Sequence, residues 1–187
     1  MLLLRLNKEQ KLLRKCASGD RKAQLELYKK YAQGMFKVSF SIVRNSALAE
    51  DVVQEAFISI FKNLNSFKGE VTFGAWMKRI VINKSISALK KEKRFDFETE
   101  LEEFVEETNW EESKIDLIRL KQCMQQLSDK DHTIISLYYL EGYDHAEIAE
   151  ILNISYDNSR TILSRAKVKL KNLIENERSI KKDIEST

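Results

Sequence analysis

The sequence predicts an all-α protein: two small helical domains joined by an acidic flexible linker, the second a four-helix domain with a helix-turn-helix. Three observations lead there. The chain has no proline and only five glycines, and helix-forming residues dominate it. Apolar residues recur at spacings of three and four behind capping residues, the period of helices that bury one side. Charge is segregated although the net is only +3: residues 62–94 hold nine Lys/Arg and two acids, and residues 95–116 hold ten acids and one Lys. The expected boundaries are 1–94 for the first domain, 95–113 for the linker and 114–187 for the second domain.

The first helix is expected over residues 7–17, stopping near Ser18 and Gly19. Asp20 caps a longer helix that holds Leu25, Leu27, Tyr28, Tyr31, Met35, Val38 and Ile42 at helical spacing. Asn45 and Ser46 break it, and Ser46 starts a third helix through about Leu64. Asn65, Ser66, Lys68 and Gly69 form a loop. Thr72 then caps a fourth helix running to about Lys93. Residues 95–113 lack a sustained period and read as a flexible linker with one helical turn near Leu101–Val105. The second block begins near Ile115 with Leu117, Leu120, Met124 and Leu127. A helix after Ser128 carries Ile134, Ile135, Leu137, Tyr138 and Leu140, and Gly142 ends it.

Asp144 to Lys171 is the most informative stretch. Asp144 and Glu147 have the spacing of a capping box. Ala146, Ile148, Ala149, Ile151 and Leu152 give a short helix a buried side. Asn153 suits a left-handed turn residue, and Ser155 caps a second helix running from about Asn158. On that helix Ile162, Leu163, Ala166, Leu170 and Leu173 share one face. Arg160, Thr161, Ser164, Arg165, Lys167 and Lys171 are expected on the opposite face, and residues 160–171 contain five basic residues and no acid. A helix held this way can enter a major groove and set side chains against base edges and phosphates. A basic helix face alone is often only solvated; the capped partner helix and tight turn are what favour a DNA reader.

Two further stripes stand out. On the third helix, Val53, Phe57, Ile60, Phe61 and Leu64 form a core face, and Asp51, Gln54, Glu55 and Ile58 form a second face. That second face is either solvated or a docking surface for a partner helix. On the fourth helix, Trp76, Arg79, Asn83, Ser87 and Lys90 share one side, and Ile82, Ile86 and Leu89 point the other way. An aromatic in line with Arg and Asn, beside Lys84, Lys91, Lys93 and Arg94, suits unpaired bases. Bases stack on aromatics, an amide reads an edge, and cations hold the backbone. The competing reading is a core Trp with a solvated basic end.

Enzyme readings fail on inventory. His132 and His145 are the two histidines, and neither has metal-ligand spacing. His145 is expected to be exposed at the start of its helix. No nucleophile motif, glycine-rich phosphate loop or acid pair with a cleft is evident, so no catalytic residue, metal, cofactor or small-molecule substrate is expected. Cys16 and Cys123 lack a Cys-x-x-Cys partner and suit a reducing, cytoplasmic setting. No export signal is read in Met1–Arg5, and no apolar run approaches the ~20 residues of a membrane span.

The motifs together resemble a known family. Arg44-Asn45, Ala49-Glu50-Asp51, Gln54-Glu55-Ala56-Phe57 and Phe73-x-x-Trp76-x-x-Arg79-Ile80-x-x-Asn83 are similar to bacterial sigma factors of the extracytoplasmic-function subfamily. The second block agrees through Leu127-Ser128-Asp129-Lys130, Glu147-Ile148-Ala149-Glu150-Ile151-Leu152 and Ser164-Arg165-Ala166-Lys167. The resemblance covers about residues 7–175. It implies that Asp51, Gln54, Glu55 and Ile58 dock on the clamp helices of core RNA polymerase. It implies that Trp76, Arg79 and Asn83, with Lys84, Ser87, Lys90, Lys91 and Arg94, open the −10 promoter element and capture a flipped base. Arg160, Thr161, Ser164 and Arg165, with Lys167 and Lys171, would read the −35 element beside the polymerase flap. The linker would thread toward the RNA channel, and an anti-sigma factor would be a further partner. Against the family pattern, Ser159 occupies a usually apolar site and is expected to loosen the helix packing. Ser87 replaces a common Asp, Ile162 a common basic residue, and Asn153 a common glycine.

A dimeric helix-turn-helix regulator is the second reading, and predicts tight binding of the chain alone to a palindrome. An interaction adaptor is the third.

Overall fold

The computed structural model describes residues 2–92 and 117–185, with side chains described over 8–92 and 117–176. The expected linker at 95–113, its helical turn, Lys93 and Arg94 lie outside the described residues. The chain divides into two compact units after Glu92, and every regular element among the described residues is helical.

The first unit holds α1 (Leu2–Ala17), α2 (Arg21–Val43), α3 (Ser46–Lys62) and α4 (Phe73–Lys91). Helix α1 begins at Leu2 rather than near residue 7, since no breaker precedes Asn7. Asp20 caps α2 by accepting from the N–H groups of Lys22 and Ala23 at 2.9 and 3.1 Å. Arg44 ends α2 in the left-handed region with φ 55°. Asn45 does more than break the chain there: its side chain accepts from Leu48 N–H at 3.0 Å and caps α3. Helix α3 stops at Lys62, and Leu64–Ser66 form a 3-10 turn instead of a helix end and open loop. Thr72 caps α4 through Ala75 N–H.

Helix α2 packs against both α3 and α4, which also pack on each other, and α1 lies across α2. Leu27, Ile42, Ile60, Met77, Ile82 and Leu89 are fully buried in this unit. Of the apolar set expected on α2, Tyr28 is 37% exposed while its ring still meets Phe57, and Leu25 departs outright, at 53% exposed. It precedes Leu27 by two residues, hence about 200° around the helix, and faces away from the core. A buried hydrogen bond from Ser85 Oγ to Ser39 Oγ, 3.1 Å, ties α4 to α2.

The second unit holds α5 (Leu117–Gln126), α6 (Asp129–Ile135), α7 (His145–Leu152) and α8 (Tyr156–Glu185). The helix after Ser128 is not uniform: α6 widens into a π turn over Ser136–Leu140 before Gly142 turns the chain at φ 77°. The widened turn leaves Tyr139 and Leu140 exposed, against the expectation for Leu140, while Leu137 stays buried. Helix α8 packs against α5, α6 and α7, and Ile134, Leu137, Ile148, Leu152, Ala166 and Ile174 close the core. Ala146 is exposed rather than buried. It too sits two residues, about 200°, from a buried residue, Ile148.

Candidate nucleic-acid interface

The turn between α7 and α8 is built as the residues require. Asp144 accepts from Glu147 N–H at 2.8 Å, and the Glu147 carboxylate accepts from Asp144 N–H at 2.9 Å, which completes the capping box. Asn153 adopts φ 59°, a left-handed conformation that Asn tolerates better than most residues. Ser155 Oγ accepts from Asn158 N–H at 3.1 Å, so α8 starts at Tyr156.

On α8, Arg160 is exposed, and Thr161, Arg165, Lys167 and Lys171 are half-buried. Ser164 is corrected by the structure. At 9% exposed it lies with Ile162 and Leu163 on the side where α8 meets the rest of the unit, so it is not on the open face as expected. Lys169, itself exposed, donates to the buried Asp131 carboxylate at 2.7 Å.

His145 is likewise not the exposed residue expected. Its ring is half-buried, 5.1 Å from the Tyr138 ring and 5.9 Å from the Tyr156 ring, and its Nδ1 is hydrogen-bonded to Ser159 Oγ at 3.0 Å. Burial, then the Arg160 guanidinium, hold the imidazole below its ordinary range against the opposing pull of Asp144.

In the first unit, Asp51, Gln54, Glu55 and Ile58 all lie on the exposed side of α3, with Ile58 55% exposed. On α4, Asn83, Ser87, Lys90 and Lys91 are exposed, and Trp76, Arg79 and Lys84 are half-buried. Trp76 combines the two sequence readings. Its ring packs on Phe67 and Phe73, at 5.5 and 5.6 Å, beside the core, and the residue keeps partial exposure. The aromatic support was legible in part, since Phe73 precedes Trp76 by one helical turn. Ser87 Oγ donates to the Asn83 carbonyl at 2.8 Å.

The two stripes border one groove, lined by Asp51, Glu55, Lys84, Ser87 and Lys91 among others. Lys84 Nζ lies 3.6 Å from Glu55 across it. Sequence reasoning missed this pairing and the Lys169–Asp131 pair because both join residues far apart in the chain. Ser128 and Asp131 at cap spacing were the one local signal for the second. Among the described residues, no group of three His, Cys, Asp or Glu side chains could hold a metal ion. No helix among them is long and apolar enough to cross a membrane.

Comparison with known proteins follows the same division. The family described as Sigma-70 region 2 matches residues 27–95, and Sigma-70, region 4 matches residues 117–170. The chain is similar to the ECF RNA polymerase sigma factor SigW of Bacillus subtilis, 29% identical over 175 residues, covering 86% of this chain and 94% of SigW. A probable RNA polymerase sigma factor of Haemophilus influenzae is 31% identical over 154 residues, covering 71% of this chain and 79% of its own length. Among solved structures, the fold is similar to the sigma factor RpoE bound to the anti-sigma factor NepR from Bartonella quintana. That match has TM-score 0.55 and 20% identity, and covers 80% of this chain and 95% of the other.

Proposed function

The chain belongs to the RNA polymerase sigma factors of the extracytoplasmic-function subfamily, and from that premise we propose how its surfaces divide the work of initiation. Sigma factors are transcription initiation factors; catalysis belongs to the polymerase. Residues 1–94 bind core polymerase and act on the −10 element, residues 95–113 connect, and residues 114–187 read the −35 element. The observation that carries this division is the presence of both regions, in order, in two separately folded units.

Core polymerase docks on the outer side of α3 through Asp51, Gln54, Glu55 and Ile58. An exposed Ile among polar residues suits a helical partner, whose apolar contact would anchor the interface. Arg160, Thr161, Arg165, Lys167 and Lys171 contact the −35 duplex. Arg165 supplies a fork for a base edge, and the lysines hold phosphates. Ser164 contributes through packing rather than contact.

Strand opening falls to α4. Phe67 and Phe73 hold the Trp76 ring in place, so it need not be ordered when a base stacks on it. Asn83 offers an amide to a base edge, and Arg79, Lys84, Lys90 and Lys91 draw in the backbone. Capture on this surface offsets the few kcal/mol needed to unstack each base. The protein acts in the cytoplasm, where its polymerase is, and an anti-sigma factor holds it inactive by covering one of these surfaces. A solved sigma factor bound to its anti-sigma factor supports that partner class.

The test is binding of the chain to purified core polymerase, with α3 variants in parallel. Binding lost in the Ile58→Asp variant and kept in Arg165→Ala would support the division; the reverse pattern would refute it.

A further inference from the structure

We propose that the His145–Ser159 hydrogen bond is a positioning contact that fixes how α8 is presented to the −35 duplex. The inference rests on the reading of α8 as the −35 helix and adds residues that do not themselves touch DNA.

Three elements meet on the His145 ring. It is the first residue of α7, whose start the capping box holds. Tyr138 reaches it from the π turn and Tyr156 from the start of α8. Its Nδ1 meets Ser159 Oγ at 3.0 Å, and Ser159 is fully buried. Ser159 directly precedes Arg160 and Thr161. Fixing its side chain therefore fixes the roll of α8 about its axis at the turn that carries these two residues.

The contact is also specific in chemistry. A buried hydroxyl without a partner is costly, whereas a hydrogen-bonded one specifies a single arrangement. An apolar residue at 159 would pack in several rolls of the helix with little difference in energy. Ser159 at a usually apolar site thus tightens the turn rather than loosening it. Burial, then the Arg160 charge, disfavour the imidazolium at this position.

The experiment compares His145→Phe, Ser159→Val and the double variant, each full-length and assembled with purified core polymerase. Templates are promoters recovered from a random-sequence library by the wild-type holoenzyme, each paired with a copy whose −35 element is scrambled. Transcription is measured at a temperature where circular dichroism shows every variant folded. Each single variant is expected to lose roughly three- to tenfold of the −35-dependent component, as for one buried hydrogen bond. The double variant should lose no more than either single one, because each single substitution already removes the contact. Single variants that match wild type, or losses that simply add in the double, would overturn the proposal. If the wild type itself shows no −35 dependence, the reading of α8 fails and this inference falls with it.

Discussion

Lys169 Nζ lies 2.7 Å from the carboxylate of Asp131, which is 4% exposed and also accepts from Ser128 Oγ at 2.7 Å. One of the five basic residues in 160–171 therefore fastens α8 to α6 instead of serving a DNA-facing side. Lys169→Ala should lower the thermal stability of the second unit by about 1–2 kcal/mol, more than a typical surface lysine, because it strips a partner from a buried carboxylate. Thermal unfolding of Lys169→Ala beside Lys167→Ala checks this; equal, negligible losses would refute the structural role.

Arg165 lies one turn before Lys169 on the same helix and tests the DNA-reading role instead. Arg165→Ala should weaken −35 recognition by about 1–3 kcal/mol while core polymerase binding survives. Footprinting of the assembled holoenzyme measures the first quantity and co-sedimentation with core the second.

Trp76 has a packing role and a proposed capture role, so two substitutions are needed. Trp76→Ala should cost about 1–3 kcal/mol of stability and impair strand opening. Trp76→Phe should keep most of the stability and lose part of the opening. Permanganate reactivity of promoter thymines reads the opening. Full reactivity in both variants would return Trp76 to packing alone.

Ile58→Asp should reduce affinity for core polymerase roughly tenfold or more, with an unchanged melting temperature, because the side chain is exposed in the free protein. An equilibrium binding titration decides it.

Glu9 predicts a pH dependence. Burial pushes its carboxyl up, but hydrogen bonds from Lys30 and Tyr31 outweigh that and leave it below its ordinary range. A depressed folded value means stability that is present above the unfolded value and lost as pH falls through the folded one. The gap in melting temperature between wild type and Glu9→Gln should therefore shrink as pH is lowered through the acidic carboxylate range. A constant gap would rule out the linkage.

The caps and the helical class were legible because they are local. Asp20, Thr72, Asp144 with Glu147, and Asn153 each act within a few residues of themselves. The outer side of α3 was legible because Ile58 breaks an otherwise polar row. Ser164 and His145 were misjudged for a different reason. Their surroundings come from other elements, and a helical wheel of α8 or α7 alone does not show where Tyr138 or the core will lie. The π turn at Ser136–Leu140 was hidden too, since nothing in five ordinary helix-compatible residues signals a widened turn.

The most direct measurement is transcription from a promoter library by purified core polymerase, with and without this chain. A sigma factor with these two surfaces should give chain-dependent initiation at a defined set of promoters, lost when their −10 or −35 elements are scrambled. Core polymerase that initiates no differently with the chain present would overturn that assignment.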